Sequence, residues 1–181
     1  MAREEALAVQ LPAEGGLGLN YIYFCWGSAH SSVTAAALHL GHLSCEHQPT
    51  VVEVMQIPRF DQTPNGDIGQ LFYMGDDDQG HRVYVLGLGA DHNSYAGLFD
   101  HFLRLLGLHP KDYRFVNCLP CVNWYTRIGG FSSRSLGLVW FGRRLAAFGV
   151  RKSFATYVNL VNRVRSSRQQ ELGFLDWSPG V

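Results

Sequence analysis

The sequence predicts an α/β fold: a three-layer sandwich with a mostly parallel sheet and one antiparallel hairpin. Three observations lead there. Tyr21–Cys25 is a continuous apolar run, the pattern of a strand covered on both faces. Apolar runs of strand length alternate along the chain with segments of helical period. Leu71–Met74 and Val83–Leu86 flank Gly75-Asp-Asp-Asp-Gln-Gly80, an acidic turn bounded by glycines that reads as a hairpin.

Each element follows in order. Residues 1–19 are polar and end glycine-rich, so they read as a flexible N-terminal tail. A single domain is expected over residues 20–166, with a C-terminal tail over 167–181. A helix follows the first strand from about Ser31 to Leu40, and Gly41 is its stop. Residues 44–69 have no clear period. Pro49, Pro58, Pro64 and Gly66 argue for loops there, around one short helix near Val51–Gln56. Tyr95, Leu98, Phe99, Phe102, Leu105 and Leu106 recur at helical spacing, which predicts a helix over 93–106. Phe115–Cys118 reads as a buried strand and Leu145–Phe148 as a last one. A helix carrying Phe154, Tyr157, Val158, Val161 and Val164 follows. In such sheets ligands sit beyond the carboxyl ends of the strands, so the loops after Cys25, Leu86, Asn117 and Phe148 are expected to meet.

The chain is 46% hydrophobic and 17% charged over 181 residues, enough for one domain with a real core. No apolar stretch is long enough to span a bilayer, and the N-terminus lacks the uninterrupted apolar segment of a secretory signal. The expectation is a soluble cytoplasmic protein without a membrane partner. Cys25, Cys45, Cys118 and Cys121 fit a reducing compartment. A net charge of zero hides an asymmetry. Residues 1–110 hold 4 Lys/Arg against 12 Asp/Glu, and residues 111–181 hold 11 against 3. Ten basic residues and no acidic one lie between Asp112 and Glu171. Such a block is either a surface for anions or the answer to the acidic half inside the same fold. Trp124, Tyr125, Phe131 and Trp140 lie among these arginines, as in some nucleic-acid surfaces. In a neutral α/β chain, however, a nucleic-acid partner is not expected.

The candidate site is the segment Cys25-Trp-Gly-Ser-Ala-His-Ser-Ser32 between the first strand and its helix. Backbone N–H groups in a small-residue loop and at a helix start favour an anion. Gly27, Ser28, His30, Ser31 and Ser32 are the expected phosphate contacts. Familiar phosphate loops fit incompletely. A Walker-type loop ends in Gly-Lys-Ser/Thr, and here His30-Ser31-Ser32 stands without lysine. A cysteine phosphatase has an arginine six residues after its cysteine. Counted from Cys25, that position is Ser31, so the guanidinium must come from elsewhere, with Arg127 and Arg134 as candidates. Gly87-Leu-Gly89 begins a dinucleotide loop, but His92 holds the third glycine position. His30 is a candidate acid/base and Cys25 a candidate nucleophile, with Asp91 and His92 on the neighbouring loop as assistants. Arg127-Ile-Gly-Gly-Phe-Ser-Ser-Arg134 reads as a flexible, hydroxyl-rich turn in which two arginines form a mobile clamp. The structural alternative is a tight turn capped by Ser31 or Ser32.

Three other clusters carry weaker signals. His39, His42, Cys45 and His47 are closely spaced, but Gly41 interrupts the helix that would present them to zinc. Cys118-Leu-Pro-Cys121 has the spacing of a redox motif. Asp76, Asp77 and Asp78 are explained by turn chemistry before metal binding. Neither a metal site nor a particular cofactor follows from these clusters.

Three stretches together, Cys25–Gly41, Val83–Gly87 and Pro120–Leu138, resemble a small family from spore-forming Firmicutes, catalogued as a domain of unknown function. The resemblance spans about residues 21–165. Ser28 stands where that family usually has glycine. The resemblance implies a bacterial cytoplasm and no particular reaction. The expected function is binding of a phosphorylated small molecule or nucleotide, with phosphoryl transfer or phosphate-ester hydrolysis as the chemistry. The alternatives are a non-enzymatic regulatory or partner-binding protein, and a cysteine-based redox or metal protein.

Overall fold

The computed structural model describes residues 18–63 and 67–167. The expected tails, save residues 18, 19 and 167, and the loop residues Pro64 and Gly66 lie outside the described residues. Strand β1 (Asn20–Cys25) is buried at every residue, as its unbroken apolar run requires. It lies inside a four-stranded sheet of order β2-β3-β1-β4. β3 (Arg82–Gly87) and β4 (Tyr113–Asn117) both run parallel to β1, and β2 (Leu71–Asp76) pairs antiparallel with β3. The two faces of β1 feed two cores. Tyr21, Tyr23 and Cys25 pack with helices α1 (Ser31–His39), α2 (Val51–Gln56), α5 (Val139–Lys152) and α6 (Phe154–Ser166). Ile22 and Phe24 pack with Ala96 and Leu103 of α3 (His92–Leu105). Helices on both faces of a mostly parallel sheet make the three-layer α/β fold that the sequence predicts.

Local chemistry accounts for most elements. α1 is buried throughout, and its alanines let it lie close against the sheet. α2 begins with a capping box: Thr50 Oγ1 accepts from the Glu53 N–H, and the Glu53 carboxylate accepts from the Thr50 N–H. In the hairpin turn, Asp77 Oδ1 accepts from the N–H groups of Gln79 and His81 at 2.9 and 2.8 Å.

Two expectations fail, both in the basic half. Leu145–Phe148 is not a strand but lies inside α5. A four-residue apolar run fits a buried helix as well as a strand, and here Ala146, Ala147 and Val150 form the buried face. Its following loop therefore adds nothing to the sheet's ligand edge. Residues 123–138 are not a flexible turn either. Helix α4 (Trp124–Arg134) runs through Gly129-Gly130, capped by Asn123 Oδ1 on the Thr126 N–H. The glycines are contact points rather than breaks. A Cβ on Gly129 would stand 2.3 Å from the Ala146 nitrogen, and one on Gly142 would stand 2.4 Å from the Ser133 nitrogen. The two helices thus touch backbone to backbone, which side chains there forbid.

At the amino end of the sheet a polar network is buried. Tyr23 Oη lies 2.6 Å from His39 Nδ1, and His39 Nε2 lies 3.1 Å from Asp77 Oδ2, which also bonds His81 Nδ1 at 3.1 Å. A carboxylate only accepts, so His39 donates from Nε2 and accepts the Tyr23 hydroxyl at Nδ1. His39 is thus committed to the core, while His42, Cys45 and His47 are exposed. Among the described residues no group of three metal-ligating side chains is placed to hold an ion.

Candidate functional site

The connections decide where a ligand can enter. β1 continues into α1 on one face of the sheet, and its neighbour β3 continues into α3 on the opposite face. Two adjacent strands whose chains leave in opposite directions open a crevice at their carboxyl ends. A cleft of about 610 Å³ lies there. After β1 it is lined by Trp26, Gly27, Ala29, His30 and Ser31; after β3 by Ala90 and His92; after β4 by Leu119 and Val122. Its remaining wall is α4, through Arg127, Gly130, Phe131 and Arg134.

The loop after β1 has every carbonyl occupied. Those of Cys25 and Trp26 accept from the Leu88 and Gly89 N–H groups, and that of Ala29 accepts from the Asp61 N–H. The Gly27 carbonyl accepts from Arg134 Nη1 at 3.2 Å, the Ser28 carbonyl from Thr63 Oγ1 at 2.9 Å, and the His30 carbonyl from the Thr34 N–H and hydroxyl. The N–H groups of residues 28–33 have no such partner among the described residues. Neither Ser31 nor Ser32 caps the helix, because the N-cap is His30 and makes no side-chain cap bond. The result is a polarised loop: acceptors tied back into the protein, donors left over at a helix start. Ser28 sits at φ 45°, a left-handed conformation that glycine adopts most easily.

His30 is held by a residue that no sequence signal marked. Its Nε2 lies 2.9 Å from Asp61 Oδ1, and Ser133 Oγ donates to Asp61 Oδ2 at 2.5 Å. The Asp61 side chain is fully buried, and the His30 ring is 13% exposed. Asp61 stands in a turn at φ 56° within a stretch of no period. With the carboxylate accepting, His30 donates from Nε2 and its Nδ1 keeps the free lone pair. Phe60 buttresses the ring edge-on at 5.2 Å. Gly130 leaves room for it, since a Cβ there would stand 2.9 Å from His30 Cε1.

The expected site residues divide. Cys25, Gly27, His30, Ser31, His92, Arg127 and Arg134 line one cleft, although they come from segments more than a hundred residues apart. Arg127 and Arg134 are seven residues apart on α4 and so share a face. Ser28 and Ser32 are buried and do not line it; Ser32 Oγ instead bonds Cys25 Sγ at 3.2 Å. Asp91 is exposed at the start of α3 and also lies outside the lining. His92 Nδ1 donates to the Ala90 carbonyl at 3.1 Å. Asp61, Ser133 and Gly130 are additions from the structure. The mobile clamp is replaced by a helix wall in which Arg134 already reaches the loop.

Cys118 and Cys121 are buried free thiols. Burial pushes the Cys118 thiol well above its ordinary value and that of Cys121 up to about 12. A redox pair works through a depressed thiol, so the environment opposes that use. The basic half does not chiefly answer the acidic half: among the described residues one ion pair, Arg165–Asp78, joins them. Arg114, Arg134 and Arg143 give their hydrogen bonds to carbonyl oxygens.

No curated protein and no solved structure matches the chain at a significant level. One family does, described as Protein of unknown function (DUF3189), over residues 20–166. That span takes in every strand and helix described above, the loop, Asp61 and the arginine-bearing wall, and the chain belongs to the DUF3189 family.

Proposed function

We propose that the cleft binds the phosphate of a phosphorylated small molecule or nucleotide, and that His30 serves phosphoryl transfer or phosphate-ester hydrolysis there as general acid/base. The observation that carries this reading is the polarised loop, with its carbonyls bound, its N–H groups unpartnered among the described residues, and two arginines on the cleft it borders. Donors at a helix start and guanidinium groups are the two protein features that best suit a phosphate. Arg134 occupies the place of the missing lysine in charge, though not in sequence. His30, oriented by a buried carboxylate, has a free ring nitrogen for a proton. The apolar part of the lining, with Trp26, Leu119, Val122 and Phe131, suits the remainder of an organic phosphate better than inorganic phosphate alone.

Thermal shift against a panel of nucleotides and sugar phosphates, followed by phosphatase and phosphotransfer assays with the best ligand, tests the reading. The expected result is stabilisation by a subset of phosphate esters, lost in Arg134→Ala. Turnover is expected to fall about a hundredfold or more in His30→Gln, whose amide can still donate to the buried Asp61 carboxylate, so that the melting temperature of the free protein changes little. Binding that survives in Arg134→Ala, or no response to any phosphate ester, overturns it. Binding without turnover selects the regulatory alternative for the same cleft.

A further inference from the structure

The turn between α4 and α5 is exposed and apolar. Leu136, Leu138, Val139, Trp140 and Phe141 are each more than half exposed, Trp140 at 72%. All seven residues from Ser135 to Phe141 are exposed. Trp124 and Ile128 of α4 are exposed as well, while Phe131 belongs to the cleft wall. Isolated exposed apolar residues need no explanation, but a contiguous run of this kind marks an interaction surface.

Charge narrows the occupant. No acidic residue occurs between Asp112 and Glu171, so the whole hairpin is positive. Arg144, one helical turn into α5, is exposed, and its guanidinium lies 4.6 Å over the Trp140 ring. A two-fold pairing of the chain through this surface would join two copies of a segment that offers arginines and no acidic residue to pair with them. The turn is a projecting apolar end with an arginine stacked on its tryptophan. A lipid surface accepts that form without shape complementarity: tryptophan rests at the headgroup level, aliphatic side chains enter the acyl boundary, and arginines meet anionic headgroups.

We propose that the α4–α5 turn docks the protein on an anionic membrane surface, with Leu138, Trp140 and Phe141 entering the interface and Arg144 contacting the headgroups. No helix among the described residues is long and apolar enough to cross a membrane, and docking on one leaflet needs none. The contact is independent of the cleft's chemistry. Because α4 also carries Arg127, Phe131 and Arg134 of the cleft wall, docking would bring the mouth of the cleft close to the lipid.

Co-sedimentation of the full chain with vesicles of phosphatidylcholine alone, and of phosphatidylcholine mixed with phosphatidylglycerol, tests this. The expected result is binding to the mixed vesicles only, weakened by salt, and reduced about tenfold or more in Trp140→Ser/Phe141→Ser. Both side chains are exposed, so the variant's melting temperature should match the parent's; Arg144→Glu should weaken binding by a second route. Three results overturn the proposal: no binding to the mixed vesicles, binding that the double variant leaves unchanged, or a concentration-dependent dimer that the double variant abolishes in a chain that ignores vesicles. The last would assign the surface to a second copy.

Discussion

Asp61 and Gly130 act on the same histidine by opposite means. Asp61 holds the His30 ring by a buried hydrogen bond and is itself held by Ser133 across 72 positions of sequence. Truncating it as Asp61→Ala leaves the His30 N–H and the Ser133 hydroxyl without their acceptor. The expected loss is about 1–3 kcal/mol of stability, the cost of stranding buried polar groups, read as a lower urea midpoint with unchanged slope. Gly130 holds nothing. Its lack of a side chain is the space the ring occupies, and Gly130→Ala gains in helix propensity what the contact with His30 Cε1 at 2.9 Å loses. Its stability is therefore expected to stay within about 1 kcal/mol of the parent, while the ring is pushed off its geometry and the turnover proposed for the cleft falls. A Gly130→Ala chain that keeps full activity would mean that the ring's position against α4 is unimportant.

Among the elements, the α4–α5 hairpin depends most on what is missing from its side chains. Gly142→Ala places a methyl 2.4 Å from the Ser133 nitrogen and 2.6 Å from the Gly129 carbonyl oxygen, both backbone atoms that cannot swing aside. The helices must part, and a destabilisation of about 1–3 kcal/mol is expected. Gly97, inside α3, has nothing within 4 Å of its ideal Cβ, so Gly97→Ala should stabilise by up to about 1 kcal/mol. Urea unfolding of the two variants side by side checks the contrast. The same hairpin explains what a reading of the sequence reaches. β1, α3 and the β2–β3 hairpin were legible because their signals are local: an unbroken apolar run, a 3.6-residue period, a glycine-bounded turn. α4 was not, since Gly129-Gly130 looks like a break until Ala146 and His30 are seen to press against it. The site divides along the same line. The loop after Cys25 announced itself by composition, and Arg127 and Arg134 by their charge. Asp61 had no local signal, because its role arises from a turn at φ 56° that brings it under His30.

The whole molecule carries its two polar constellations at opposite ends of β1: the cleft beyond Cys25, and the Tyr23–His39–Asp77–His81 network toward Asn20. The network ties β1, α1 and the hairpin turn together, so its protonation bears on the entire fold. Burial lowers His39 below its ordinary 6.5, against the pull of the Asp77 carboxylate and with the help of nearby Arg165 and His81. Burial alone would raise Asp77; hydrogen bonds from the His81 N–H, the His39 ring, the Gln79 N–H and the His81 ring outweigh it and hold the group at about 2, against an ordinary 3.8. Tyr23 is raised well above 10.0, chiefly by burial, and stays a donor throughout. Both shifts are downward, and their signs agree. As pH falls below about 6.5 the unfolded chain takes up a proton at residue 39 that the folded chain resists, so stability declines. As pH falls further, below about 4, the unfolded chain protonates residue 77 while the folded chain still holds a carboxylate, and stability declines again. His39→Gln separates the two windows, because glutamine can donate to Asp77 and accept from Tyr23 without titrating. Urea midpoints measured from about pH 8 down to about pH 3 are expected to show the upper decline flattened in His39→Gln and the lower one retained. An unchanged upper slope in that variant would place the neutral-range titration on histidines other than His39.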